Sequence, residues 1–197
     1  MTKTNYHHGN LKNTILDEVL ELLNFKSFDE ISFRSISRKI GVVSSAPYNH
    51  FKDKKHLIKE VILLGEKKLL NVILLEKKKT KVPTEQLLLI AKVYLKFATE
   101  EKALFNLMFS KDNKELLHLC EKIVLQFQLV IIEKFKKGKR FKLTAKGSAI
   151  TAWSMIHGIA LTLNNSKKEN LESLWHIELE NILGEMSAIW GKGVSEK

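Results

Sequence analysis

Ile31-Ser32-Phe33-Arg34-Ser35-Ile36-Ser37-Arg38-Lys39-Ile40-Gly41-Val42-Val43-Ser44-Ser45-Ala46-Pro47-Tyr48-Asn49-His50-Phe51 is the stretch that decides the fold. Ser32 is a good N-cap, and Phe33, Ile36 and Ile40 then recur at helical spacing. Gly41 stops that helix as a C′ glycine does. A turn follows, and then a second short helix bearing Ala46, Tyr48 and Phe51. Two short helices joined by a glycine turn form a helix-turn-helix, although on pattern alone the same arrangement also serves as a bundle corner. Val42 is expected to plug the gap between the helices, with Ile36 and Ile40 packing on the helix before them. The second helix is then free to enter a major groove about 12 Å wide.

Working outward, Leu11, Ile15, Val19, Leu22 and Leu23 mark one face of a preceding helix. A long helix runs from near Asp53 to about Lys79, with Leu57, Val61, Leu64, Leu70 and Leu74 among its apolar positions. Lys81-Val82-Pro83-Thr84 breaks the pattern, because Pro83 disfavours helix at its predecessor and Thr84 can cap the next helix. Further helices read as 84–100, 102–109, 114–136, 144–164 and 171–190. No stretch shows strand alternation, and only 2 Pro and 9 Gly occur in 197 residues. The expected fold is all-α. A helix-turn-helix domain (1–52, with an arm at 1–8) is joined by the long helix to a larger helical bundle (53–197).

Hydrophobic residues make up 44% and charged residues 28%, enough for a packed core. The apolar run from Ala149 to Leu163 is too short for the ~20 residues of a spanning helix, so no membrane partner is expected. A single cysteine excludes an internal disulfide framework, and no N-terminal apolar h-region appears, which together fit the cytoplasm. The net charge of +11 suits a polyanionic partner. That excess is spread along the chain, so charge permits nucleic-acid binding without locating it.

The polar residues agree with a nucleic-acid reading of the two short helices. Ser44, Ser45, Tyr48, Asn49 and His50 populate the second helix, where hydroxyls and amides reach phosphates or base edges. Arg34 opens the first helix of the pair, and Ser32, which caps it, is counted with it among the DNA-binding candidates. Lys54 opens the long helix, where the dipole adds to its charge. Residues 6–64 resemble the DNA-binding domain of the tetracycline-repressor (TetR) family of transcriptional regulators. The resemblance rests on Tyr6-His7-His8-Gly9-Asn10-Leu11, Ile31-Ser32-Phe33-Arg34, Gly41-Val42, and Ala46-Pro47-Tyr48-Asn49-His50-Phe51-Lys52-Asp53-Lys54 with Leu57 beyond. It implies phosphate contacts for Tyr48, His50 and Lys54, and groove contacts for Arg34, Ser44, Ser45, Ala46 and Asn49. Where the family usually has Gly-Val-Ser, this chain has Gly41-Val42-Val43. Valine cannot cap, so Ser44 is expected to cap one residue later, leaving Pro47 in the first turn. The arm at 1–8 reads either as a disordered terminus or as a groove-reading segment.

In the bundle, Trp153 and His157 are four apart and share a helix face, with the small residues Ala152, Gly158 and Ala160 nearby. Leu171, Leu174, Trp175, Ile182, Met186 and Ile189 follow at helical spacing. Trp153-Ser154-Met155-Ile156-His157-Gly158 resembles a Trp-His-Gly element in the C-terminal domain of one subgroup of the same family. By that resemblance, helices 144–164 and 171–190 pair two subunits, with Ala152, Gly158, Leu171, Trp175, Ile182 and Met186 as candidates. The helices before them are then expected to enclose a ligand. Phe97, Phe105, Met108, Phe109, Phe127, Trp153 and His157 read either as core or as the lining of an apolar effector pocket.

Cys120 reads as a buried inert thiol or as a redox sensor, and His118 with Cys120 makes no metal set by itself. The Lys134–Lys142 cluster reads as a solvated connection or as a contact to flanking DNA or lipid. A helical enzyme finds no phosphate loop, no His-Glu-x-x-His and no telling nucleophile, so neither catalytic residues nor a cofactor is expected. A peripheral membrane module leaves Tyr48 to Lys54 unexplained. The resemblance implies a homodimeric repressor, released from a palindromic double-stranded operator by a small apolar effector.

Overall fold

A computed structural model describes residues 11–111, 113–136, 143–165 and 179–194. Among them are eight α-helices and no strand: α1 (Leu11–Leu23), α2 (Phe33–Ile40), α3 (Lys54–Lys77), α4 (Pro83–Glu100), α5 (Lys102–Met108), α6 (Leu116–Lys136), α7 (Ala145–Asn165) and α8 (Leu179–Val194). Two 3-10 turns, Phe28–Glu30 and Ala46–Asn49, complete the set. The architecture is all-α, with a helix-turn-helix region in the N-terminal part of the chain and a helical bundle in the C-terminal part.

Most boundaries follow local chemistry. Ser32 and Ser35 cap α2 reciprocally: each backbone N–H donates to the other's hydroxyl at 3.1 Å. Gly41 ends α2 in the left-handed region (φ 74°, ψ 32°), where a Cβ is costly. Asp53 caps α3, its carboxylate accepting from His56 N–H at 2.8 Å. α4 starts one residue before the expected Thr84 cap. Pro83 is its first helical residue, where its missing N–H costs nothing, and Val82 holds the cap position without a side-chain bond. The preceding loop is tied down by Gln86, whose amide donates to the carbonyls of Lys77 and Thr80 at 2.9 Å each.

The chain divides into two compact units, Met1–Glu66 with Ala103–Asn113, and Lys67–Lys102 with Lys114–Lys197. The division falls inside α3 rather than at the expected 52/53 boundary, and α5 belongs with the front unit. Gly65 explains how α5 fits there. A Cβ at that position would lie 2.6 Å from Met108 Sδ and 3.0 Å from Leu104 Cδ1, so only a glycine lets the two helices come so close. Leu104, Phe105 and Met108 are all buried. The carboxamide of Asn113, itself buried, closes the end of α5 by donating to the Met108 carbonyl at 2.6 Å.

In the front unit Ile15, Val19, Ile31, Ile36, Phe51, Leu57 and Val61 form the core. In the second unit α4, α6 and α7 pack on one another and α8 packs on α4. Their core includes Ile90, Tyr94, Ile123, Phe127, Ile131, Ala149, Ile156, Ala160 and Leu183. Of the expected α3 positions Leu57 and Val61 are buried, while Leu74 is 40% exposed. No helix among the described residues is long and apolar enough to cross a membrane.

Candidate nucleic-acid interface

The residues after Gly41 depart from the expected second helix. They form one four-residue 3-10 turn, Ala46–Asn49, with Ser45 rather than Ser44 in the cap position and no side-chain cap bond. Ser44 precedes the turn. Pro47 sits in the first turn as expected, buried, with its carbonyl accepting from His50 N–H at 3.0 Å and Phe51 N–H at 2.9 Å. Proline favours the tight bend, and a 3-10 turn of this length is within the usual range. The turn packs against both α1 and α2.

Below it lies Phe51, fully buried, with its ring centroid 6.4 Å from Phe33 and 5.9 Å from His56. Above it the polar residues face water. Ser32, Arg34, Ser44, Ser45 and Asn49 are exposed, and Ala46, His50 and Lys54 are half-buried. Tyr48 is 59% exposed and is steadied by an edge-on contact with Phe33 at 4.8 Å. The fold therefore brings all nine candidates onto the front unit, around one capped helix and one proline turn.

Lys54 has internal partners that the sequence did not announce. Its Nζ donates to the Asp29 carbonyl at 2.8 Å and lies 5.2 Å from the Phe28 ring centroid. It ties the start of α3 to the first 3-10 turn, and an ammonium has three donors, so a phosphate can share it. Lys39 clamps α2 to α1 through Glu18 at 2.8 Å and Glu21 at 3.2 Å. Hydrogen bonds to those carboxylates, Glu18 first, push its ammonium pKa up. Val43 adds to the surface. It is 71% exposed three residues before the turn, a bare apolar group of the kind that meets a thymine methyl. Its signal in the sequence was a valine where a capping serine is usual.

The second unit holds a cavity lined from α4, α6, α7 and α8. Of the residues expected to line a pocket, Phe127 does so. Phe97 is buried away from it. Phe105, Met108 and Phe109 lie in the front unit, because α5 returns there. Phe105 and Phe109 pack on each other at 4.6 Å. Of the pairing candidates, Ala152 and Met186 line the cavity, and Ile182 is half-buried. Gly158 is exposed, and no atom of the described residues lies within 4 Å of a Cβ built there. Leu171 and Trp175 lie outside the described residues, as do the 1–8 arm, Tyr6 to Asn10 and 137–142.

Trp153 and His157 meet a buried partner, Tyr94. The Tyr94 hydroxyl is 2.8 Å from His157 Nδ1, the Trp153 ring N–H points to the Tyr94 oxygen at 3.4 Å, and Trp153 stacks on His157 at 5.0 Å. Indole nitrogen only donates, so the phenol oxygen accepts there, and the imidazole tautomer decides which of Tyr94 and His157 donates in the bond between them. Burial favours the uncharged form of both rings, pushing the His157 pKa down and the Tyr94 pKa up. The folded chain thus binds fewer protons here than the unfolded chain. Stability contributed by His157 is complete above the ordinary histidine value near 6.5 and falls as the pH drops through it. Urea unfolding at pH 7.5 and 5.5 should show this loss, and His157→Gln should reduce it; an unchanged difference would place the titrating group elsewhere.

Burial also raises the Cys120 thiol, against the thiolate that a redox sensor needs. No group of three or more potential metal ligands occurs among the described residues.

With the geometry in hand, the class of fold is clear: a helix-turn-helix followed by a helical bundle, as in the TetR-family transcriptional regulators of known structure. No protein-family model and no curated protein matches the chain by sequence. Particular solved structures do match its fold. A protein of unknown function from Rhodococcus sp. RHA1 superposes with a TM-score of 0.83 at 21% identity, covering 98% of this chain and 100% of that one. The TetR-family regulator PfmR from Thermus thermophilus gives 0.65 at 15% identity, over 89% of this chain and 96% of that chain. The regulator FadR from Bacillus subtilis, solved in complex with stearoyl-CoA, gives 0.71 at 12% identity, over 93% and 99%. At such identities the likeness is one of fold.

Proposed function

We propose that this protein is a DNA-binding transcriptional regulator of the TetR type, not an enzyme. In this reading it is a cytoplasmic homodimeric repressor that a small effector releases from a palindromic operator, and its second unit belongs to the Trp-His-Gly subgroup. The observation that carries the reading is the exposed set Arg34, Ser44, Ser45, Tyr48 and Asn49 around a turn anchored by a fully buried Phe51. Neutral donors and one guanidinium in that arrangement suit phosphate oxygens and base edges. A pair of such units spaced about 34–36 Å apart reads successive grooves of a palindrome. An effector bound to the second unit then acts by linkage, lowering DNA affinity as far as it prefers the conformation that fits the operator less well. The cavity lined from α4, α6, α7 and α8 supports an effector reading, as does a fold neighbour, FadR, solved in complex with stearoyl-CoA.

Selection of bound duplex from a random pool tests the reading. A symmetric site should emerge, with affinity that falls steeply as salt rises and a large preference over unrelated duplex. Tyr48→Ala should weaken binding to that site by about tenfold, the worth of a buried or charge-assisted hydrogen bond, with thermal stability nearly unchanged. If unrelated duplex binds as tightly as the selected site, the regulator reading fails.

Pairing has its own test. A Cβ at position 158 meets nothing within 4 Å among the described residues, so Gly158→Leu should leave the folded chain intact, which circular dichroism checks. It should disrupt dimers by overpacking if that face pairs. Sedimentation analysis reads the result, and an unaffected dimer removes Gly158 from the interface.

A further inference from the structure

Val43 is out of keeping with its position. Its carbonyl accepts the Ala46 N–H at 3.0 Å, and that bond opens a run of turns that continues through Tyr48 N–H to the Ser45 carbonyl and Phe51 N–H to the Pro47 carbonyl. The residue that opens such a run is usually serine, threonine, asparagine or aspartate, whose side-chain oxygen accepts a backbone N–H two or three residues on. Valine has no acceptor and forgoes that bond. It is also 71% exposed, so burial does not account for it. A residue that breaks a local rule with no compensating contact in the fold points to function. Its setting narrows what it meets. Ser44, Ser45, Tyr48 and Asn49 around it are exposed. Across residues 26–62, Val43 and Tyr48 are the exposed large apolar side chains. One aliphatic group on a polar surface is too little for a protein-docking patch.

We propose that Val43 is a specificity-determining residue that reads one thymine of each operator half-site by its C5-methyl group. This deepens the regulator reading and rests on it. In a helix-turn-helix the N-terminal end of the second element is the part that reaches base edges, and Val43 opens that element here. The thymine methyl is the one methyl group that the four bases present in the major groove. An isopropyl group makes no hydrogen bond, so it cannot tell bases apart by their donors and acceptors. Contact with that methyl is the discrimination open to it. β-Branching restricts the side chain to few rotamers, which holds the contact in place. The hydroxyls of Ser44 and Ser45 and the amide of Asn49 are left to meet phosphates and polar base edges.

Uracil exchange tests this, because uracil differs from thymine only in lacking the methyl group. Each symmetric pair of thymines in the selected duplex is replaced by uracil in turn, and affinity for the full chain is read by fluorescence anisotropy at fixed salt. One pair should carry a penalty of about fourfold per half-site and about fifteenfold for both, the worth of one methyl group withdrawn from water at each. Val43→Ser should abolish that penalty and leave any penalty at other thymines unchanged. Val43→Ile should keep it. A selected site with no symmetric thymine, silence at every thymine, or a penalty that persists in Val43→Ser would each overturn the proposal. Circular dichroism guards against misfolding, and Val43→Ala, which should also lose the penalty, gives the same reading if the serine variant unfolds. Failure of the regulator reading looks different: unrelated duplex then binds as tightly as the selected one before any thymine is exchanged.

Discussion

Phe51→Ala should cost the front unit about 3–5 kcal/mol, the usual range for deleting a buried phenylalanine ring. The ring is fully buried, between Phe33 at 6.4 Å and His56 at 5.9 Å, with Lys12 Nζ 6.0 Å from its centroid. Typical net stabilities are about 5–15 kcal/mol, so the loss is a large share of what holds such a unit together. The effect should reach the surface as well. Phe51 N–H donates to the Pro47 carbonyl at 2.9 Å, so the backbone that closes the Ala46–Asn49 turn is continuous with the ring's anchor. Urea unfolding followed by circular dichroism measures the first effect, and affinity for the selected duplex measures the second. A shift in stability below about 1 kcal/mol would mean that the ring is not the floor of this surface.

Gly65→Val carries the second large effect. The first added carbon alone would sit 2.6 Å from Met108 Sδ and 3.0 Å from Leu104 Cδ1, and valine adds two methyl groups beyond it. Both neighbours are themselves buried, Met108 fully and Leu104 at 2% exposed, so their side chains have to repack to make way. Overpacking of this kind costs about 1–3 kcal/mol, and a β-branched residue adds a small helix penalty. The strain should fall on α5, which has only seven residues to hold it in place. Loss of amide-exchange protection along 102–108 is the expected readout. Met108→Ala in the same chain should recover part of the stability, because neighbours in contact do not contribute additively. Full protection of α5 in Gly65→Val would show that the packing around Gly65 is looser than described.

Much of this was legible in advance, for reasons that differ by element. α2 was readable from end to end because its signals are local: Ser32 caps it, Ile36 is its buried position, and Gly41 takes the left-handed conformation. The positions around 44–50 were readable as a surface but not as a helix. The proline that tightens the bend and the valine that displaces the cap leave only a four-residue turn. Helical periodicity says that a face is apolar without saying what covers it. That is why Phe105 and Met108 looked like candidates for a pocket yet lie in the front unit. His157 read as either a core residue or a ligand contact because its partner, Tyr94, is 63 residues away, and one sequence holds no signal for that pairing. Lys134 read as one of a lysine cluster. Its seven-residue spacing from Phe127 was the available sign that it shares a face with the cavity wall.

The capture of α5 has a consequence for how such a chain is cut and inherited. A truncation after Glu66 keeps every candidate DNA-contact side chain but discards the segment that covers Gly65, and so leaves a raw groove along α3. Exchange of the front portion between genes, or its expression as an isolated fragment, therefore has to bring residues 103–113 along or replace what they cover. The first third of the polypeptide is in this sense not a detachable module.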